Sequence, residues 1–82
     1  NTNFEFKNKF KIYPNPAKDT FTIQSDIDIV CIWIMDSSGR KFREELIASK
    51  SKKIDISSLN AGIYYVIINI GGLYYSEKLF VE

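Results

Sequence analysis

Eighty-two residues with 45% hydrophobic and 15% aromatic side chains suit a single folded domain and argue against disorder. Eleven Lys and Arg against ten Asp and Glu leave a net charge of +1, too small to favour nucleic acid or an anionic membrane. With no histidine and a lone Cys31, the chain lacks the commonest general base and any internal disulfide.

In chain order, short apolar runs recur between turn signals every ten or so residues, a sandwich or barrel pattern. Residues 6–13 alternate, with Phe6, Asn8, Phe10 and Ile12 on one face and Lys7, Lys9, Lys11 and Tyr13 on the other. The preceding residues, 1–6, are expected to be a linker. Pro14 and Pro16 end pairing, since neither donates to a ladder, and Asn15 between them can brace the turn through its side chain. Asp19 and Thr20 lead into a second alternating strand, 21–24, with Phe21 and Ile23 inward. Asp26 and Asp28 flank an expected turn.

From Ile29 to Met35 the sequence is apolar on both faces, more than one core face can hold. An outward stripe of Cys31, Trp33 and Met35 predicts a sticky surface and weak self-association, with Trp33 partly exposed. Cys31 itself suits a buried, inert thiol. Asp36-Ser37-Ser38-Gly39 predicts a hairpin turn, Gly39 supplying the positive φ. Residues 41–47 return as a partner strand with Phe42 and either Leu46 or Ile47 inward. Residues 48–53, carrying Lys50, Lys52 and Lys53, read as a solvated loop.

Ile54-Asp55-Ile56 reads as a short strand, and residues 57–62 as a tight corner. There Gly62 supplies a positive φ or a close backbone approach, while Leu59 and Tyr64 plug the end of the core. Residues 63–70 form a strongly apolar strand, joined by Gly71-Gly72 to a last strand at 73–82. The fold class is therefore all-β, an antiparallel β-sandwich of about seven strands with Ig-like layering. Its predicted core is Phe10, Ile12, Phe21, Ile23, Ile32, Ile34, Tyr64, Val66, Ile68, Leu79 and Val81. No apolar run approaches the ~20 residues of a membrane-spanning helix, so no transmembrane segment is expected. The chain opens at Asn1 with no charged-then-apolar leader, and is read as the end of a longer polypeptide.

Catalytic chemistry finds no support. Ser-His-Asp and Cys-His arrangements are impossible without histidine, and zinc lacks a ligand set. Asp26-Ile27-Asp28 lacks the glycine and terminal glutamate of an EF-hand loop, and Gly71-Gly72 precedes no helix that could cradle phosphate. No catalytic, metal or cofactor-binding residue is assigned. Tyr64, Tyr65, Tyr74 and Tyr75 face one another across the Gly-Gly hairpin. With Trp33, an outward set would suit stacking on sugars, making a carbohydrate-binding or adhesion β-sandwich module the alternative reading. Tyrosines at a sheet rim, rings in the core and hydroxyls wet, need no ligand.

Four blocks carry a family likeness: Tyr13-Pro14-Asn15-Pro16 with Asp19 and the strand at Phe21; Asp36 to Lys41 around Gly39; Leu59, Gly62 and Tyr64 with the strand after them; and Lys78-Leu79-Phe80-Val81 at the end. In order and spacing they resemble the type A C-terminal sorting domain of the type IX (Por) secretion system, across nearly the whole chain from about Phe10. Members often finish on a basic residue, where this chain has Glu82. The resemblance implies a non-enzymatic secretion signal, with Tyr13, Pro14, Asn15, Pro16, Asp19, Gly39, Leu59, Gly62, Tyr64, Lys78, Leu79 and Val81 as the sorting motif. It implies a domain over residues 7–82 behind an N-terminal cargo in Bacteroidota. The implied route runs through the periplasm, past an outer-membrane shuttle and translocon, to the cell surface or medium. A surface sortase commonly removes such a domain and joins the cargo to anionic lipopolysaccharide.

Overall fold

The structure is a computed structural model and describes residues 10–82; the expected linker, and the part of the first strand before Phe10, lie outside the described residues. Five strands follow in order: β1 (Phe10–Tyr13), β2 (Thr20–Asp36), β3 (Lys41–Asp55), β4 (Gly62–Ile70) and β5 (Leu73–Val81). Every neighbouring pair is antiparallel. β3 runs along one side of β2 for nearly its full length. The other side is shared, β1 lying along the first part and β4, backed by β5, along the rest. No described residue is helical.

The described residues thus form five strands where about seven were expected. The turn expected at Asp26-Ile27-Asp28 lies inside β2, and the loop expected at 48–53 lies inside β3. At both places the chain bends without turning back. The β2–β3 register slips between Gln24 and Ile29, and Ala48, on the facing stretch of β3, adopts φ +54°. The two strands pair on both sides of the bend while residues 25–28 have no partner on β3, and polar residues at a bend look in sequence like a loop.

The bend folds the sheet over one core. Phe21, Ile23, Ile54 and Ile56 from one half join Ile32, Ile34, Val66, Ile68 and Leu79 from the other, all fully buried. Each such side chain contributes about 1.5–3 kcal/mol of transfer free energy. Inward positions on β2 are odd-numbered through Ile29 and even-numbered from Ile32, because Val30 is an extra residue against β4. That bulge is why Cys31, Trp33 and Met35 all point outward.

Most predicted core residues are buried. Phe10 and Ile12 pack against the core only partly, β1 being a four-residue edge strand. Ile47, not Leu46, faces inward; Leu46 is 75% exposed. Phe42 is 40% exposed at the rim, its ring edge-on to Tyr64 at 5.8 Å. Cys31 is half-buried on the outer face, correcting the expected buried thiol. Where β3 lies opposite Ile32 and Ile34 it carries Glu45 and Arg43, paired at 3.1 Å, and Arg43 also donates to the Asp55 carbonyl. The open side of the sheet is therefore closed by charge and hydrogen bonds.

Candidate functional site

The sorting blocks are far apart in sequence and meet at one end of the sheet. The register places Asp36 beside Tyr64 and Tyr64 beside Leu79, with Gly62 beside Val81. On the remaining edge of β5 lies the first block. Ala17, with no exposed surface, forms a parallel bridge to Val81: its N–H donates to the Phe80 carbonyl at 2.7 Å, and its carbonyl accepts from Glu82 N–H at 2.8 Å.

Two residues earlier the side chain of Asn15 continues that ladder. Its Nδ2 donates to the Lys78 carbonyl at 2.8 Å, and its Oδ1 accepts from Phe80 N–H at 2.9 Å. In a parallel pairing where residue 17 opposes 81, the backbone N–H and C=O of residue 15 would take those two partners. The asparagine amide, carrying one donor and one acceptor, stands in for its own peptide group. No other side chain of that size offers the same pair, which gives the asparagine in Tyr-Pro-Asn-Pro a physical reason. Tyr13–Pro14 and Asn15–Pro16 are both cis, and both prolines are exposed. Tyr13 lies across from Thr22 and donates its hydroxyl proton to Gln24 Oε1 at 3.1 Å.

Asp19 accepts the Ile56 N–H on its carbonyl at 2.8 Å, tying the first block to the corner. Within the corner Leu59 is half-buried against the core, and the Tyr64 hydroxyl donates to the Asn60 carbonyl at 2.7 Å. A tyrosine bonded to backbone a few residues upstream is the corner device of Ig-type sandwiches. Gly62 has φ +156°, and a Cβ there would meet nothing nearer than Tyr64 at 4.0 Å. Of the two roles expected for Gly62, backbone conformation holds and close approach does not. In the Gly39 hairpin Asp36 Oδ1 accepts from Ser38 N–H, Ser38 Oγ and Arg40 N–H at 3.0, 2.7 and 2.9 Å, while Gly39 takes φ +91°. These bonds, the Ser38 hydroxyl first, hold the Asp36 carboxyl below its ordinary pKa; Ser57 does the same for Asp55 through its N–H and hydroxyl.

Side chains of Leu79 and Val81 point into the core, whereas Lys78 and Phe80 lie outward, the Lys78 ammonium 5.8 Å from the Phe80 ring centre. A shallow depression of about 160 Å³ beside the corner is lined by Ile34, Phe42, Arg43, Leu59, Asn60 and Tyr64. Ser58 completes its lining, which holds no carboxylate. Among the described residues no cluster of Cys, Asp or Glu is placed to hold a metal. Sequence reasoning missed Ala17 and Asn60, because nothing in a lone alanine marks a bridge and Asn60 acts through its carbonyl.

The family model of the secretion system C-terminal sorting domain matches residues 11–82. The chain belongs to this family. No curated protein matches the sorting domain in sequence. Among solved structures it is similar to one described in work on PorZ, an essential bacterial surface component of the type-IX secretion system of Porphyromonas gingivalis. The TM-score is 0.71 at 17% identity, over 96% of this chain and 12% of that one, so the likeness shows the fold. The sorting domain thus spans about an eighth of that protein's length.

Proposed function

We propose that this sorting domain acts as a folded, non-catalytic address for a cargo protein joined to its N-terminus, sending it through the type IX machinery to the cell surface or medium. The family match over residues 11–82 carries the reading. The convergence of all four sorting blocks on one end of the sheet supports it, since a composite of distant residues exists only in the folded domain. On this reading residues 1–6 are the link to cargo and residues 7–82 the signal. An outer-membrane shuttle reads it after periplasmic transit, a translocon passes it, and a surface sortase removes it. The facing halves of the bent sheet and the Tyr64 corner support Ig-like layering. A glycan platform is less well supported: the Trp33 and Tyr74 rings tilt by 56°, and the Lys41 ammonium sits 5.3 Å from the Trp33 ring centre.

The test is fusion of residues 1–82 to the C-terminus of a periplasmic reporter in a type IX-competent host. Delivery of the reporter to surface or medium is expected, with no delivery when the translocon is deleted. Retention in the periplasm of the competent host refutes the signal reading.

A further inference from the structure

The two outer faces of the bent sheet differ in kind. Over β1 and the first part of β2 and β3 the outward residues are polar, Lys11 beside Gln24 and Thr22 beside Lys53. Over the rest of β2, β4 and β5 they include Trp33, Met35, Tyr65, Ile67 and Tyr74, with Asn69 and Ser76 among them and Lys78 at the border. Trp33 lies next to Ile67 and Met35 next to Tyr65, and Tyr74 is 61% exposed with its ring centre 5.7 Å from that of Trp33. Tyr13 is exposed beside Thr22 on the polar face, but the contiguous group of aromatic and aliphatic side chains lies on the face of Trp33 and Tyr74.

The charges bordering this face are unequal. Lys41 is neutralised by Glu44 at 2.9 Å. Lys78, across from Tyr65, has no carboxylate partner among the described residues. A rigid aromatic and aliphatic centre with one uncompensated cation fits a protein surface, where tryptophan and tyrosine anchors dominate binding and a rim charge sets orientation. The backbone edge of β5 over 78–82 is already taken by Asn15 and Ala17, so a partner cannot add a strand there and must read side chains.

We infer that the outer face of β2, β4 and β5 is the docking surface for a protein component of the export route, one presenting an apolar patch edged by a carboxylate that meets Lys78. This rests on the sorting reading above. The reporter fusion is exported in parallel with Tyr74→Ser, Lys78→Gln and Lys78→Glu, and with Lys11→Glu and Lys53→Glu on the polar face. Urea midpoints of the purified domains establish folding, and Leu46→Glu, 75% exposed on β3 across from the outward Cys31 and so beside this face, replaces any variant that fails to fold. Tyr74→Ser and Lys78→Glu, or the replacement, should each lower export about tenfold, Lys78→Gln by less, and the polar-face variants not at all.

A parent that is exported alongside equally exported Tyr74→Ser and Lys78→Glu variants overturns the docking surface and leaves the sorting reading intact. A parent that stays in the periplasm overturns both. Sedimentation of the isolated domain decides against another occupant: a dimer dissolved by Tyr74→Ser assigns the face to a second copy and refutes the inference, whereas a monomer supports it.

Discussion

Replacing Asn15 isolates the contribution of a side chain that imitates a peptide group. Asn15→Leu keeps the branched outline of the side chain and removes both the bond to the Lys78 carbonyl and the bond from Phe80 N–H, at 2.8 and 2.9 Å. A net hydrogen bond contributes about 0.5–1.5 kcal/mol, and water reaches this exposed edge, so the pair should be worth roughly 1–2 kcal/mol. For a domain of this size that is a fall in Tm of about 4–16 °C. Asn15→Asp tests the directionality. Its carboxylate still accepts from Phe80 N–H but turns a second acceptor toward the Lys78 carbonyl, so at neutral pH it should cost more than leucine. Acid restores a donor. The facing carbonyl raises the variant carboxyl's pKa in the folded state, so its contribution is complete below the unfolded value near 3.9 and lost as pH rises through the folded one. The gap between Asn15→Asp and the parent should therefore narrow as pH falls toward about 4. Urea melts over a pH series, with hydrogen exchange at the Phe80 amide, provide the measurement. Asn15→Leu melting with the parent, its Phe80 amide equally protected, would show that the clasp is an incidental contact.

Three further outcomes follow from the same end of the sheet. Asp36 and Asp55 have folded pKa values below the unfolded one, so the stability they contribute is present above about pH 4 and lost as pH falls through the folded values. Asp36→Asn should flatten the acid limb of a stability–pH profile, and an unchanged limb refutes the assignment. Tyr64→Phe deletes the bond to the Asn60 carbonyl and should lower urea stability by about 0.5–1.5 kcal/mol with no change in the sheet's far-UV signature. Gly62→Val places a β-branched side chain at φ +156° with no close neighbour, so backbone strain, about 1–3 kcal/mol, should appear in the melt; Gly62→Ala carries the same Cβ and should lose most of that amount, and an alanine variant that melts with the parent would contradict the strain account.

The parts of the fold legible in sequence are those where one local rule decides. Gly71-Gly72 specifies a two-residue turn and pairs Ile70 with Leu73; Asp36 and Gly39 specify their hairpin; alternation sends Phe21 and Ile23 inward. The bends in β2 and β3 were not legible because they are made in partnership. Ser25 to Asp28 and Ala48 have turn-like character, yet β2 and β3 pair on both sides of them, so the chain curves where an isolated segment would reverse. Leu46 and Ile47 show the limit of periodicity: near a register slip, parity cannot say which of two adjacent apolar residues is inside. Within the candidate site the motifs could be located but not joined, since nothing in the sequence says that the Asn15 amide reaches the strand sixty-odd residues later.

That junction changes what the C-terminal strand can offer to a partner. One backbone edge of β5 is bonded to β4 along its length, and over 78–82 the other is bonded to Asn15 and Ala17. Its inward side chains, Leu79 and Val81, are core. Truncating 78–82 would therefore remove two core residues and the clasp's partners at once, and a loss of export after truncation would say nothing about recognition. What remains readable on a folded domain is the outward pair Lys78 and Phe80, continuous with Tyr65 and Ile63 across the strand pairing. On the docking surface proposed above, the C-terminal strand is read as part of a face assembled from several strands, which requires the domain to be folded at that step. A point change at Lys78 separates the two contributions, because that residue's side chain touches neither the core nor the clasp.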